Sequence, residues 1–311
     1  MKKRPGLKLR KKDLVLFMNK CQSYFIKSIE VFGMRALYIE KMDKSNWGLQ
    51  KIKIKQDNCK IGLNVEKERK IKKVIKKLIK NEVTNVVLSK EFDENRDLIN
   101  ALNASNIKIF DGRWLQKYLA VQILDFIVNQ TNIKKEECEI AITVNQITDL
   151  SIELIKILAK QYKRLTVVTS HIEKLRKIEN EIYEKEGILI VISNNQKKSL
   201  LKSQIILNID FCKEILNKYQ VNEKAIIINF EGDIKINHKR FSGININDYE
   251  IEVGREEVIW RKNMDKFRTK DLLESVLYMK DTFQNICNKI RKNKVSIKAL
   301  YGVNGKIERF S

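Results

Sequence analysis

The sequence is poor in the residues that usually punctuate a chain of its size. Its 311 residues hold one proline, Pro5, and eleven glycines. There are two histidines, His171 and His238, 67 residues apart. No cysteine stands near either, which excludes an ordinary zinc site. The five cysteines (Cys21, Cys59, Cys138, Cys212, Cys287) are widely separated, with no local metal spacing and no C-x-x-C pair. That pattern suits reduced, buried thiols and a cytoplasmic setting. Long apolar runs are also missing. After the basic head, Leu14–Met18 is five residues long before Asn19 and Lys20 interrupt it, too short for a signal segment or a membrane span. No G-x-x-x-x-G-K-[ST] loop occurs, which excludes a P-loop ATPase, and no G-x-S-x-G or H-E-x-x-H motif is present.

What is abundant is lysine, isoleucine and asparagine. Hydrophobic residues make up 43%, enough for two packed domains, and charged residues 32%. The formal net charge of +23 is unevenly spread. Residues 1–100 carry 26 Lys/Arg against 12 Asp/Glu, residues 101–254 carry 22 against 20, and residues 255–311 carry 14 against 7. Basic flanks of this kind attract nucleic acid or another polyanion. The base composition of an AT-rich bacterial genome produces the same lysine excess without a function.

Periodicity divides the chain. Residues 13–34 have helical apolar spacing, Arg35–Glu40 suits a strand, and KIKIK at 51–55 alternates as a half-solvated strand. From Glu66 to Lys80, Ile71, Val74, Ile75, Leu78 and Ile79 form one apolar stripe, with lysine and arginine on the other faces. A strand at 83–88, a helix at 93–104 and a strand at 106–110 complete a small α/β unit. One long apolar helix is expected from Arg113 to Val128.

Beyond Glu139 the rhythm is regular. Strands are expected at 139–144, 165–169, 188–193, 204–209 and 225–230, with helices at 151–161 and 173–185. Short β-branched runs alternating with helices give a mostly parallel sheet. The fold class is therefore α/β: a Rossmann-like five-stranded sheet of order 3-2-1-4-5, a smaller N-terminal α/β domain and C-terminal helices. The expected boundaries are 1–112 for the basic N-terminal domain, 113–130 for a linking helix, 131–254 for the Rossmann-like domain and 255–311 for a C-terminal helical segment. That last segment has helical spacing at 270–278 and 282–291.

In such a sheet, ligands bind beyond the carboxyl ends of the strands. The candidate binding residues are Asn145, Thr148 and Asp149 after the first strand, Ser170 and His171 after the second, and Asn194 after the third. Asn208 and Asp210 follow the fourth, and Glu231 the fifth. The first turn, VNQITD at 144–149, contains no glycine. A dinucleotide site uses glycines there to let backbone approach the pyrophosphate. Thr148, Asp149 or Ser151 caps the following helix instead, and a carboxylate cap both uses the free donors and repels a phosphate. Asp210 and Glu231 follow hydrophobic strands. They suit acid–base or metal work, or a structural role at the strand ends.

With these strands and the helix before them, the layout of residues 66–254 resembles two-domain Rossmann-fold proteins of the shikimate dehydrogenase and glutamyl-tRNA reductase type. Ile206-Leu207-Asn208-Ile209-Asp210 echoes the fourth-strand end of such enzymes, while the glycine fingerprint is absent at Val144–Asp149. The resemblance implies an N-terminal α/β substrate domain, a connecting helix and a nucleotide domain. It assigns no catalytic residue. The expectation is a non-catalytic Rossmann-like protein with a structural, assembly or regulatory role, holding no cofactor and no metal, and acting through a protein partner or self-association. Two alternatives stand beside it: an NAD(P)-dependent oxidoreductase with an atypical loop, with NADP as its cofactor, and a nucleic-acid-binding protein using the basic flanks.

Overall fold

A computed structural model describes residues 23–31, 34–42, 64–80, 83–88, 90–92, 95–131, 133–236, 239–254, 267–278 and 282–310. The strand expected at 51–55, residues 13–22 and His238 lie outside them. The chain divides into two compact units, residues 1–112 with 256–280, and residues 113–255 with 281–311.

In the first unit, β1 (Ser23–Val31) and β2 (Met34–Met42) pair antiparallel along their whole length. The helix expected across 13–34 is thus a strand where it is described. SYFIKSIEV is rich in aromatic and β-branched residues, and an antiparallel neighbour satisfies its backbone, which outweighs a loose helical spacing. β2 also pairs antiparallel with β3 (Asn85–Leu88), and β3 pairs parallel with β4 (Lys108–Ile109). Helices α1 (Asn64–Lys80) and α2 (Arg96–Ala104) share one core with β3 and β4, built on Ile71, Val74, Leu78, Leu98, Leu102 and Ile107. Ile79, expected in the apolar stripe of α1, is instead 55% exposed.

The second unit holds the larger sheet. The helix expected at 113–128 is two helices, α3 (Arg113–Tyr118) and α4 (Ala120–Gln130). They break at Leu119, whose N–H is shared between the carbonyls of Leu115 and Gln116, both at 3.1 Å. There follow β5 (Glu139–Thr143), α5 (Asp149–Gln161), β6 (Arg164–Val168), α6 (Ile172–Glu186) and β7 (Val191–Ser193). Next come β8 (Ile205–Asn208), the single turn α7 (Lys213–Leu216), β9 (Ile226–Asn229) and β10 (Ile244–Val253). In the C-terminal region, α8 (Thr269–Leu277) belongs to the first unit. α9 (Phe283–Lys292), β11 (Val295–Gly302) and β12 (Gly305–Lys306) belong to the second.

The sheet is mostly parallel, in the order β12-β11-β10-β9-β8-β5-β6-β7. The α/β, Rossmann-like class is as expected, but eight strands in this order replace the five-stranded sheet. The five anticipated strands run side by side, and β10, β11 and β12 extend them. The C-terminal region therefore supplies strands to the sheet as well as helices. β8 and β9, IILN and IIIN, are buried at every position, as central parallel strands with both faces covered must be.

β10 escaped the sequence reading because its alternation changes phase. Ile244 and Ile246 keep one parity, while Tyr249, Ile251 and Val253 keep the other. The cause is a bulge: Ile246 pairs with Gly302 and Asp248 with Tyr301, leaving Asn247 as an extra residue. Before the bulge β10 runs parallel to β9, and beyond it β10 faces β11 alone.

A polar ladder, buried at the carboxyl ends of β5, β8 and β9, runs on to the half-buried bulge residue of β10. Thr143 Oγ1 donates to Asn208 Oδ1 at 2.7 Å, and Asn208 Nδ2 donates to Asn229 Oδ1 at 3.0 Å. Asn229 Nδ2 donates to Oδ1 of the bulged Asn247 at 2.8 Å. Thr143 and Asn208 are fully buried, and Asn229 is 1% exposed. Asn208 also accepts from the Phe211 N–H at 3.1 Å and donates to the Phe211 carbonyl at 3.0 Å. Asn208→Ala should therefore cost about 2–4 kcal/mol, because it strands several buried donors and acceptors at once. Urea unfolding followed by far-UV circular dichroism measures it, and Asn208→Asp should not restore the loss.

Candidate functional site

The loop between β5 and α5 is where a nucleotide-binding sheet presents free backbone donors. Here two sets of side chains occupy them. Thr148 is the N-cap of α5: its Oγ1 accepts from the Ser151 N–H at 3.3 Å, and Ser151 Oγ accepts from the Thr148 N–H at 2.8 Å. This reciprocal capping box satisfies two of the donors at the start of the helix without a ligand. Asp149 is the first residue of the helix rather than its cap, and its acidic side chain stands at the positive end of the dipole.

The loop itself is held from β8. Asp210 follows Asn208 by two residues, and its carboxylate reaches across the strand end. Its Oδ1 accepts from the Asn145 N–H at 2.7 Å, and its Oδ2 from the Gln146 N–H at 2.5 Å. Two successive amides thus grip one carboxylate in the manner in which such nests grip a phosphate oxygen. The side chain of Asn145 turns the other way, and its Oδ1 accepts from both the N–H (2.9 Å) and the Oγ (2.8 Å) of Ser170. β5, β6 and β8 are in this way tied together at their carboxyl ends by their own residues.

Of the residues chosen from sequence, Asn145, Ser170 and Asp210 come together in this cluster, and Thr148 and Asp149 lie beside it. His171 is exposed at the start of α6, where its N–H donates to Thr169 Oγ1 at 3.0 Å and its side chain forms no cap. Asn194 is exposed beyond β7, and the neighbouring Asn195 makes the turn hydrogen bonds there. Asn208 is a buried rung of the ladder rather than a ligand-facing group. Glu231 forms an ion pair with Lys117 of α3. The two carboxylates singled out, Asp210 and Glu231, therefore have separate structural partners. Sequence reasoning passed over Thr143 and Asn247, and offered Ser151 only as one of three possible caps. Thr143 had a signal, for EIAIT, IILN and IIIN each end a buried run on a hydrogen-bonding residue.

A second polar cluster lies in the first unit. Glu274 of α8 is 1% exposed and accepts from the Gly112 N–H. Its Oε2 is buried without a partner among the described residues. Burial, and then the charge of Asp111, push its carboxyl up to about 8, with Lys108 opposing and Asp271 adding to the rise. Asp271 is held by Arg268 Nε at 3.1 Å. Gly112 (φ +85°) leaves room for the buried stem of Lys270, whose Cδ would stand 2.8 Å from any Cβ there.

No protein-family model matches the chain, and no curated protein matches it. Among solved structures it is similar to the L-tryptophan dehydrogenase of Nostoc punctiforme, at a TM-score of 0.32 and 9% identity. That likeness covers 73% of this chain and 64% of that one, so the chain spans a little under two thirds of it. It is also similar to a putative aspartate carbamoyltransferase from Trypanosoma cruzi, at a TM-score of 0.25 and 12% identity over 74% and 70% of the two chains. A third is the anabolic ornithine carbamoyltransferase of Campylobacter jejuni, at 0.27 and 8% over 72% and 74%. The particular shikimate dehydrogenase and glutamyl-tRNA reductase type finds no support in these comparisons. Among the described residues, no group of His, Cys, Asp and Glu is arranged to hold a metal, and no helix is long and apolar enough to cross a membrane.

The Glu274 carboxyl has a measurable consequence. Its folded pKa of about 8 stands above the ordinary 4.5, so folding takes up a proton between those values. Stability from this group is full below about 4.5 and falls as the pH rises through about 8. Glu274→Gln should flatten that decline, read by urea unfolding across the window, and an unchanged pH slope would contradict it.

Proposed function

We propose that this chain is a non-catalytic Rossmann-like protein with an assembly or regulatory role, built on a nucleotide-binding layout in which its own carboxylate takes the ligand's place. The observation that supports this is the grip of the Asn145 and Gln146 amides on Asp210. A pyrophosphate approaching the loop meets occupied donors and a like charge. To bind, it would have to expel a tethered carboxylate that costs no association entropy to keep in place. The capping box occupies two further donors, the N–H groups of Thr148 and Ser151. The interaction between Asn145 and Ser170 fills the corner where such folds discriminate a ribose.

On this reading the sheet edge is a structural device, and the protein works in the cytoplasm through contacts with other macromolecules. The buried Cys138, whose thiol burial pushes up to about 11, fits a reducing compartment. Titration calorimetry with NADPH and NADH at millimolar concentration should show no saturable binding. Asp210→Ala frees both amides and should gain weak affinity for inorganic pyrophosphate that the unaltered chain lacks. Saturable NADPH binding by the unaltered chain would overturn the proposal and favour an oxidoreductase with an atypical loop.

A further inference from the structure

The other end of the same sheet is open. The crossovers β5→β6 and β6→β7 carry helices α5 and α6, but residues 194–204, between β7 and β8, form turns and no helix. Leu200, fully buried, joins this crossover to Ala141, Val168 and Ile206 and so covers the carboxyl-terminal half of that face. Nearer the amino ends of the strands there is a hollow of about 400 Å³. Its lining includes Lys163, Thr166, Leu189, Val191, Lys198 and Lys202. Val191 pairs with Thr166 in register, so the two side chains share this face.

Three properties coincide here. First, β7 is the last strand of the sheet among the described residues. The Thr169 N–H donates to the Ser193 carbonyl at 3.1 Å, so Ser193 turns its backbone inward and Ile192 turns its own outward. Second, the strand and its approach expose large apolar side chains, Leu189 at 71% and Val191 at 58%. Third, the rim is positive and unneutralised. Lys156, Lys160, Arg164 and Lys185 each hold a glutamate. Among the described residues, no ion pair engages Lys163, Lys198 or Lys202. A free edge with exposed apolar side chains is a template for strand addition. Single-stranded nucleic acid gains most from stacking on aromatic rings, and the lining has none. A small anion would use the lysines but neither the edge nor the apolar side chains.

We propose that the β7 edge and the adjoining hollow dock an extended acidic segment of a partner protein. The segment adds a strand beside Ile192, lays apolar side chains on Leu189 and Val191, and sets carboxylates against Lys163, Lys198 and Lys202. The proposal rests on the assembly reading above and supplies the chemistry of the partner.

The probe is a short blocked peptide of alternating Val and Glu, titrated calorimetrically into the full chain. The controls are the same peptide with Gln for Glu, a Gly/Glu peptide of equal charge and a single-stranded oligonucleotide. The Val/Glu peptide should bind most tightly and should slow hydrogen exchange at the Ile192 amide. The double variant Lys198→Glu/Lys202→Glu should weaken it about tenfold or more, with an unchanged melting midpoint. No binding, equal binding of the Gln peptide, tighter binding of the oligonucleotide or an unprotected Ile192 amide would each overturn the proposal. Failure of this kind with NADPH still unbound leaves the non-catalytic reading intact. NADPH binding by the unaltered chain removes that reading whatever the peptide does.

Discussion

The buried ladder from Thr143 through Asn208 and Asn229 to Asn247 is the constraint on which the second unit rests. Parallel strands of isoleucine carry little information about register, because sliding one by two residues presents another isoleucine to the same face. A polar side chain buried at each carboxyl end removes that freedom, for a slipped strand leaves an amide in the core without a partner. The ladder thereby fixes the height of Asp210, two residues beyond Asn208, opposite the first loop. Its exact placement against two amides follows from the register and not from local loop chemistry.

What was legible in the sequence follows the range of the interactions involved. IILN and IIIN read as buried strands because burial on both faces requires an unbroken apolar run. The helices α5 and α6 read as helices because their stripes and capping residues are local. β1 did not, because SYFIKSIEV satisfies a helical spacing as well as a strand, and only its pairing with MRALYIEKM decides. The role of Asp210 was out of reach for a similar reason. Its amide partners lie 65 and 64 residues away, and a carboxylate after a strand looks the same whether it caps, ligates or pairs. The missing glycines of VNQITD were the one local sign, and they argue against the usual pyrophosphate loop without identifying what replaces it.

The sheet has opposite characters at its two ends. At the carboxyl ends, residues just beyond β5, β6 and β8 hydrogen-bond to one another. At the amino ends of β6 and β7, the short turn-rich crossover leaves apolar surface and lysines that no ion pair engages among the described residues.

The bulge at Asn247 has a consequence for how chains of this kind diverge. It lets one strand serve a parallel neighbour with its first three residues and an antiparallel one from Ile246 onward. The extra residue is also the last rung of the ladder, which ties an irregularity of the backbone to a specific amide side chain. A descendant that lost Asn247 by deletion would lose the rung and the bulge together, leaving Ile244, Ile246, Tyr249, Ile251 and Val253 in one regular alternation. The pair is therefore expected to be inherited or discarded together, and a one-residue gap at this point would mark a chain whose sheet edge is organised differently.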